Sequence, residues 1–385
     1  MTPSPETLAV RAGIATDTAH GAVAPSLVLS ANFAFAGFGE KRAYDYTRSG
    51  NPTRDELAQS LAVLEGGAGA VVTASGMAAI TLVLHLLQAG DLVLLPHDGY
   101  GGTWRLLNAF ARTGRCRVRF VDQRDPVALA AALAERPKLV WAESPSNPLL
   151  RLVDLPALAA ASHAAGALFV VDNTFLSPAL QNPLQLGADL VVHSTTKYVN
   201  GHSDVVGGAV VAKDQGLHAQ LVWWANALGI TGAPFDSWLT LRGLRTLAVR
   251  MRQHSANAQR LAEQLAAHPA VRAVHYPGLR SHPDHALARR QQRGAGGMLS
   301  FELAEPALVP RFLAGLEHFT LAESLGGVES LVAHPATMTH ASMSADARAA
   351  AGIGPGLLRL SVGIEDPADL ARDLDRGLQR CVGEP

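Results

Sequence analysis

The chain has 385 residues, a length that suits two to three domains of about 150 residues each. Its 32 lysines and arginines against 33 aspartates and glutamates give a formal charge of −1, which provides no cationic excess for nucleic acid or an anionic membrane surface. Apolar residues make up 48% and charged residues 17%, a balance typical of folded globular proteins. Because the two cysteines form no pair motif and neither a membrane span nor a signal-peptide pattern is present, we expect a cytoplasmic protein without disulfides or a metal site.

The first 48 residues show little hydrophobic periodicity and contain several prolines, glycines and asparagines. This pattern indicates either a disordered tail or an arm that packs on another surface. At its end, Tyr44, Tyr46 and Arg48 combine two aromatic rings with a cation that suits a phosphate or a carboxylate.

Between about residues 69 and 213, short β-branched runs alternate with helical segments. This alternation predicts repeated βα units and an α/β domain with a mostly parallel, seven-stranded sheet. The predicted strands are Ala70–Thr73, Leu92–Pro96, Val118–Asp122, Leu139–Glu143, Leu168–Asp172, Leu190–Ser194 and Ala209–Ala212. Helices are predicted over Met77–Leu87 and Leu155–Ala165, each followed by a glycine that can end it.

A single long helix is predicted from about Phe235 past Gly243 to His268, because the apolar period continues and Pro269 ends it. Three later strands are separated by irregular stretches: Val271–Tyr276, Met298–Leu303 and Leu357–Val362. This pattern predicts a second, smaller α+β domain.

The richest cluster of chemistry-bearing residues follows two of the predicted strands. Asp172 ends one apolar run, and Lys197 follows the next run, with Ser194 and Thr196 beside it. Ligands of open α/β sheets bind at this carboxyl edge, and a buried aspartate needs a positive partner. Pyridoxal phosphate would supply a pyridinium for Asp172, an aldehyde for Lys197 and a phosphate for the two hydroxyls. Taken singly, such residues are more often a loop-capping aspartate and a solvated lysine.

Three further sites each have a functional and a structural interpretation. Gly76 and Met77 begin a helix after a strand, so their N–H groups could bind an anion, although such turns are common in α/β folds. Tyr100 lies among glycines at another strand end, where its ring could stack on a heterocycle or stay in water. Arg359 lies on an apolar strand, either as a carboxylate clamp or as a solvent-facing charge on an edge strand.

Together these residues resemble the pyridoxal-phosphate enzymes of cysteine and methionine metabolism, the transsulfuration family. The resemblance covers nearly the whole chain. Its motifs begin at residues 46, 75, 143, 171, 193, 324 and 359 and read YTRSGNPT, SGM, ESPSNP, VDNT, HSTTKYVNGH, SLGG and RLSVG. It implies the aspartate-aminotransferase-like fold (fold type I), with an arm over residues 1–48 that contacts a neighbouring subunit, a large cofactor-binding domain over 49–250 and a smaller domain over 251–385.

The resemblance also implies catalytic and cofactor-binding residues. Lys197 would bind the cofactor's aldehyde, Asp172 its ring nitrogen, and Tyr100 would stack on the ring. The phosphate would be held by Gly76, Met77, Ser194 and Thr196. Tyr46 and Arg48 would reach this phosphate from a neighbouring subunit, which implies a homotetramer built from two active dimers.

For the substrate, the resemblance implies that Arg359, assisted by Asn147 and Ser324, binds the α-carboxylate. Arg105 and Glu323 match positions that line the side-chain end of the pocket. Many bacterial γ-synthases of the family, the branch that this chain most resembles, have a second arginine where this chain has Ser49. The departure weakens a succinyl assignment and leaves an acetyl ester open, with Arg105 as the remaining cation.

The implied reaction is γ-replacement, in which the acyl group of an O-acylhomoserine is exchanged for the sulfur of L-cysteine in methionine biosynthesis. Lys197 would remove the α-proton and later a β-proton, while Asp172 keeps the ring nitrogen protonated. A γ-lyase, a β-lyase or a sulfhydrylase would share every cofactor contact, so these activities stay open. A non-catalytic carrier of the cofactor is a further alternative, but a carrier has no use for Arg359.

Overall fold

The larger of two β-sheets forms from the middle of the chain. The computed structural model describes residues 3–341 and 343–382. Its seven-stranded sheet consists of β1 (Gly69–Thr73), β2 (Leu92–Pro96), β3 (Arg117–Val121), β4 (Leu139–Glu143), β5 (Leu168–Asp172), β6 (Leu190–His193) and β7 (Gly208–Ala212). The strand order is β1-β7-β6-β5-β4-β2-β3, and β7 alone among these strands runs antiparallel to the rest. The predicted mostly parallel, seven-stranded sheet is therefore confirmed, with strand ends displaced by at most one residue.

Both faces of this sheet are buried except along the edge strand β3, which explains why the other strands read as nearly continuous apolar runs. Alternate residues point to opposite faces: Val140 and Val171 pack into one hydrophobic core, and Trp141 and Val170 into the other. All four side chains are fully buried. Each such burial is worth about 1.5–3 kcal/mol, so the sheet is a rigid base for the residues at its edge.

Helices cover the two faces and extend into the C-terminal region. They are α1 (Pro5–Val10), α2 (Pro52–Glu65), α3 (Gly76–Leu84), α4 (Gly101–Arg112), α5 (Pro126–Leu133), α6 (Leu155–Ala164), α7 (Ser177–Leu180), α8 (Gln215–Leu228), α9 (Pro234–Leu244), α10 (Leu247–Ala266), α11 (His285–Gln291), α12 (Val309–Leu313), α13 (Ala345–Ala351) and α14 (Pro367–Val382). Side chains of α3, α4 and α8 fill the core on one face, and those of α2, α6, α9 and α10 fill the other. No described helix is long and apolar enough to cross a membrane.

The single long helix predicted from Phe235 to His268 is wrong, because α9 and α10 are separated by a break at Arg245 and Thr246. The carbonyl of Gly243 accepts hydrogen bonds from the N–H and the hydroxyl of Thr246, at 3.1 and 3.0 Å, and from Nη2 of Arg250 at 2.7 Å. These partners, three and seven residues further along the chain, replace the hydrogen bond that would continue the helix. Apolar periodicity does not register such a change, since it persists on both sides of the break.

A second, five-stranded sheet forms from the C-terminal part of the chain. Its strands are β8 (Val271–His275), β9 (Met298–Leu303), β10 (Thr320–Leu321), β11 (Leu331–Ala333) and β12 (Leu357–Ser361), in the order β10-β11-β12-β9-β8. The three predicted strands are confirmed, whereas β10 and β11, of two and three residues, are too short to show an alternating pattern. Helix α10 passes through residue 250, where the sequence analysis divides the large domain from the smaller one. The division at this residue stays a prediction.

The N-terminal region begins with α1, which packs against α2 and α10. Beyond it, an isolated bridge between Asn32 and Tyr46 is one of the few regular pairings. Large apolar side chains are exposed here, among them Val23 and Phe38. The region therefore presents an apolar surface that its own chain does not cover.

Candidate active site

A large cavity opens where the carboxyl ends of β4, β5 and β6 meet. Its volume is about 590 Å³, which suits a small-molecule site. Of the predicted site residues, Tyr46 and Arg48 lie outside the cavity. The others line it: Gly76, Met77, Tyr100, Arg105, Asn147, Asp172, Ser194, Thr196, Lys197, Glu323, Ser324 and Arg359.

Asp172 ends β5 at the cavity wall, and the backbone N–H of Thr174 donates to its Oδ1 at 3.0 Å. Burial raises the pKa of the Asp172 carboxyl, while hydrogen bonds from Thr174 and the charge of His193 act in the opposite direction. A carboxylate buried in this way is stabilised by a cation placed against it. A protonated ring nitrogen would fill that role.

Lys197 lies in the turn that follows β6, where its N–H donates to the Ser194 carbonyl at 3.2 Å. Its Nζ donates to Oγ of Ser324 at 2.7 Å. The pKa of Lys197 is lowered to about 8, first by burial and second by the charge of Arg359, while Glu323 acts in the opposite direction. At pH 7 about a tenth of the amine is therefore neutral and nucleophilic, far more than in a solvated lysine.

An anion cradle lies at the start of α3. Oγ of Ser75 accepts from the N–H of Ala78 at 3.1 Å, which caps the helix and leaves the first N–H groups at the cavity. A Cβ at Gly76 would lie 2.8 Å from Cβ of Ser194, so only glycine permits this approach. The hydroxyl of Thr196 is held against Gly207, accepting from its N–H at 2.9 Å. Helix N–H groups and two hydroxyls are donors that suit a phosphate.

Tyr100 precedes α4, and its ring packs over Gly102, where an added Cβ would lie 2.5 Å from the ring. Its backbone N–H donates to both carboxylate oxygens of Glu143, at 2.8 and 2.9 Å. Glu143 is a site residue that the sequence reasoning missed. Burial, followed by the adjacent Asp172, raises the pKa of Glu143 well above its usual value. The sequence did contain a signal for this residue, since Glu143 is a charged residue at the end of an apolar strand. In the sheet it lies in register with Asp172.

Arg359 lies on β12, which is flanked by β11 and β9, so the edge-strand alternative is wrong. Its Nη1 donates to Oδ1 of Asn147 at 3.0 Å and its Nη2 to the carbonyl of Ser324 at 2.8 Å. The buried Nε has no hydrogen-bond partner among the described residues. Burial lowers the pKa of Arg359 to about 10, which leaves it cationic at neutral pH. A fixed cation with spare donor capacity suits a carboxylate.

Tyr46 and Arg48 lie together on the surface, with the guanidinium carbon 5.6 Å from the ring centre. Nη1 of Arg48 donates to the carbonyl and the side-chain oxygen of Asn226, at 2.6 and 2.7 Å. Half of Tyr46 is exposed. These two residues are therefore not brought to the cavity of their own chain.

The cavity has a further wall that sequence reasoning did not assign, formed by Met338, Thr339 and Ala341. His340 anchors this segment, since its Nε2 lies 3.2 Å from the carbonyl oxygen of Asn147. Burial lowers the pKa of His340 to about 4, so it is neutral at physiological pH. Neither alternation nor a chemical motif marks the segment in the sequence.

The donor set fits pyridoxal phosphate: an amine for the aldehyde, a buried carboxylate for the ring nitrogen, and a helix N-terminus with hydroxyls for the phosphate. Comparison with known families agrees, since residues 6–379 match the family described as Cys/Met metabolism PLP-dependent enzyme. The chain belongs to this family of enzymes and its cofactor is pyridoxal phosphate. The predicted family, fold type and cofactor are thereby confirmed.

Among its relatives, cystathionine gamma-synthase of Escherichia coli (strain K12) is 57% identical over 381 residues, covering 98% of this chain and 99% of the relative. A crystal structure of cystathionine gamma synthase from Xanthomonas oryzae pv. oryzae in complex with cystathionine is 64% identical, with a TM-score of 0.98 and 99% of both chains covered. A cystathionine beta-lyase of Lactococcus lactis subsp. cremoris is 46% identical, covering 97% of this chain and 99% of the relative. The synthase relatives agree with the function predicted from the sequence.

Proposed function

We propose that this chain catalyses γ-replacement: an O-acylhomoserine and L-cysteine give L-cystathionine and the free carboxylic acid. The observation that carries the proposal is the position of Ser324 between two functional groups. Its hydroxyl accepts from Nζ of Lys197 and its carbonyl from Nη2 of Arg359. An amino acid whose carboxylate binds Arg359 therefore has its α-carbon beside the lysine amine.

The residues that line the cavity include groups for the ring of the cofactor and groups for its phosphate. When bound, pyridoxal phosphate supplies an aldehyde and an electron sink for the α-carbon of the substrate. Asp172 holds the proton of the ring nitrogen, and Tyr100 stacks on the ring. The phosphate is bound by Gly76, Met77, Ser194 and Thr196.

Lys197 is the acid–base residue of the reaction. As a free amine it takes the α-proton and later a β-proton of the substrate, and it returns a proton when the new bond has formed. Its lowered pKa, to about 8, suits both directions of transfer near neutral pH. The hydroxyl of Ser324 orients the amine through their 2.7 Å hydrogen bond.

The pKa of Lys197 leads to a prediction for the apoprotein. Because only the neutral amine attacks the aldehyde, the rate of covalent attachment of pyridoxal phosphate is expected to rise with pH through a midpoint of about 8. A solvated lysine would give a midpoint of about 10.4. Stopped-flow absorbance of the apoprotein mixed with cofactor measures this midpoint, and a value near that of the solvated lysine contradicts the proposed environment of Lys197.

Substrate selection is assigned to the side-chain end of the cavity. Asn147 assists Arg359 in binding the α-carboxylate, through their 3.0 Å hydrogen bond. Arg105 and Glu323 line the far end. Arg105 is exposed there, so it is available to the distal carboxylate of a succinyl ester. An acetyl ester lacks that carboxylate and would depend less on Arg105.

We further propose that the active unit is a dimer within a homotetramer. Tyr46 and Arg48 lie outside the cavity of their own chain and are assigned to the cofactor phosphate of the neighbouring subunit. The exposed apolar side chains of the N-terminal region, such as Phe38, support a covering partner. The reaction is assigned to methionine biosynthesis in the cytoplasm.

A product assay tests the reaction. The purified enzyme is incubated with O-succinylhomoserine, O-acetylhomoserine or cystathionine, each with and without cysteine, and the products are quantified by mass spectrometry. We expect cystathionine from an ester only when cysteine is present. Release of ammonia with 2-oxobutyrate, or with pyruvate, from cystathionine alone at a higher rate would identify a lyase instead. The 46% identity to a beta-lyase makes this the relevant competing outcome.

A further inference from the structure

Arg250 is a buried cation on α10 that the proposed reaction does not use. Its Nη1 donates to the carbonyl of Tyr198 at 2.7 Å, and its Nη2 to the carbonyls of Gly243 and Val199, at 2.7 and 3.4 Å. Its Nε donates to Oγ1 of Thr246 at 3.1 Å. One guanidinium therefore joins α9, α10 and the turn that carries Lys197.

Two of the carbonyls that Arg250 binds lie at the end of the turn that carries Lys197. The turn begins at Ser194, whose carbonyl accepts from the N–H of Lys197, and ends at Gly201, whose N–H donates to the Lys197 carbonyl at 2.8 Å. The next two carbonyls, of Tyr198 and Val199, accept from Arg250. A cation that satisfies the last carbonyls of a turn acts as a C-terminal cap.

Burial of the Arg250 charge costs free energy, which argues that this side chain does more than fill space in the core. Arg250 is 4% exposed, and in the described parts of the chain its partners are carbonyl and hydroxyl oxygens, with no carboxylate in an ion pair. Burial lowers its pKa to about 10. A buried charge without a counter-ion is unfavourable unless hydrogen bonds compensate it, and this guanidinium donates four. A neutral side chain would pack here at lower cost but would not bind the carbonyls of both the lysine turn and the end of α9.

Two glycines make room for this arrangement. A Cβ at Gly201 would overlap Nη1 of Arg250, and Gly201 has a φ of +75°. A Cβ at Gly243 would overlap the carbonyl oxygen of Asn200. The end of α9 therefore contacts the lysine turn backbone to backbone. Arg250 fixes that contact at the backbone of the turn. At the other end of the lysine side chain, the Ser324 hydroxyl accepts a hydrogen bond from Nζ.

We propose that Arg250 is a positioning residue for Lys197: by capping the lysine turn, its guanidinium fixes the direction in which Nζ enters the cavity. This inference rests on the proposed role of Lys197 as the cofactor-binding amine. It does not require that Arg250 touch the cofactor or the substrate. Loss of the cap would let the turn relax, so that the amine meets the cofactor less often and lies in a wetter environment.

The test uses Arg250→Gln and Arg250→Lys, with Arg252→Gln, an exposed position on the same helix, as the matched control. Three quantities are measured: the rate and pH midpoint of cofactor attachment to the apoprotein, the visible circular dichroism of the bound cofactor, and the thermal unfolding midpoint. In Arg250→Gln we expect attachment to slow by about 10- to 100-fold. Its pH midpoint should move upward from about 8, and its circular dichroism should change. In Arg250→Lys the attachment rate, the pH midpoint and the circular dichroism should change in the same direction but by less. Arg252→Gln should match the wild type in all three.

A structural role alone gives a different result. The proposal is overturned if the Arg250 variants lose thermal stability but keep the wild-type pH midpoint and circular dichroism. Should Arg250→Gln fail to fold, Arg250→Lys and Thr246→Val, which removes the support of Nε, decide by the same measurements. Peptide mapping of borohydride-reduced wild type comes first. If the cofactor is not on Lys197, the proposed function fails, whereas a wild type labelled on Lys197 with unaffected Arg250 variants rejects only the capping role.

Discussion

Replacing Lys197 with alanine is expected to lower kcat/KM for γ-replacement by at least about 10⁴-fold, because the variant loses both its nucleophile and its acid–base group. The cavity itself should persist. Asp172, Arg359 and the start of α3 lie on other elements, so the variant should still bind pyridoxal phosphate without a covalent bond. Steady-state kinetics, combined with borohydride reduction followed by mass spectrometry of the intact protein, measure both effects.

Lys213→Ala is the matched control, since Lys213 is exposed just beyond β7. It should retain wild-type turnover and remain reducible to a covalent adduct. Borohydride trapping of cofactor on the Lys197→Ala polypeptide at wild-type yield would show that another amine carries the cofactor. Residual turnover within tenfold of the wild type would exclude Lys197 as the acid–base residue.

The large sheet and the centre of the site could be read from the sequence for the same reason. Strands buried on both faces appear as uninterrupted apolar runs, and a polar residue at the end of such a run stands out. Asp172 and Lys197 were found in this way, and both line the cavity. Glu143 carries the same signal at the end of β4. It was overlooked because the chemistry of the cofactor requires only one carboxylate at the ring nitrogen.

Other features depend on specific side-chain hydrogen bonds, one set near in sequence and one distant. The break between α9 and α10 follows from Arg250 and Thr246 binding the Gly243 carbonyl, which no local pattern expresses. The wall formed by Met338 and Thr339 is held in place by a hydrogen bond between His340 and Asn147. In both cases the position of the backbone is set by particular hydrogen-bond partners, which periodicity and propensity do not report.

Asp172→Asn is expected to lower kcat by about 10²- to 10³-fold, since the variant keeps the shape of the side chain but removes the charge that holds the proton on the ring nitrogen. With O-acetylhomoserine as the substrate, Arg105→Ala should change kcat by less than about twofold, because this ester has no distal carboxylate to bind. Steady-state kinetics of both variants with this one substrate provide the comparison. Equal losses would argue against an electrostatic role for Asp172.

The unfolding of the apoprotein separates this role from a structural one. Burial raises the pKa of Asp172, so its ionisation at neutral pH costs the folded apoprotein stability. In the variant Asp172→Asn, the side-chain amide oxygen can still accept from the N–H of Thr174, so the apo variant should unfold at the same temperature as the wild type or higher. A cofactor-free variant that is less stable would mean that the carboxylate serves the fold. A stable variant with low turnover would mean that the charge is retained for the cofactor.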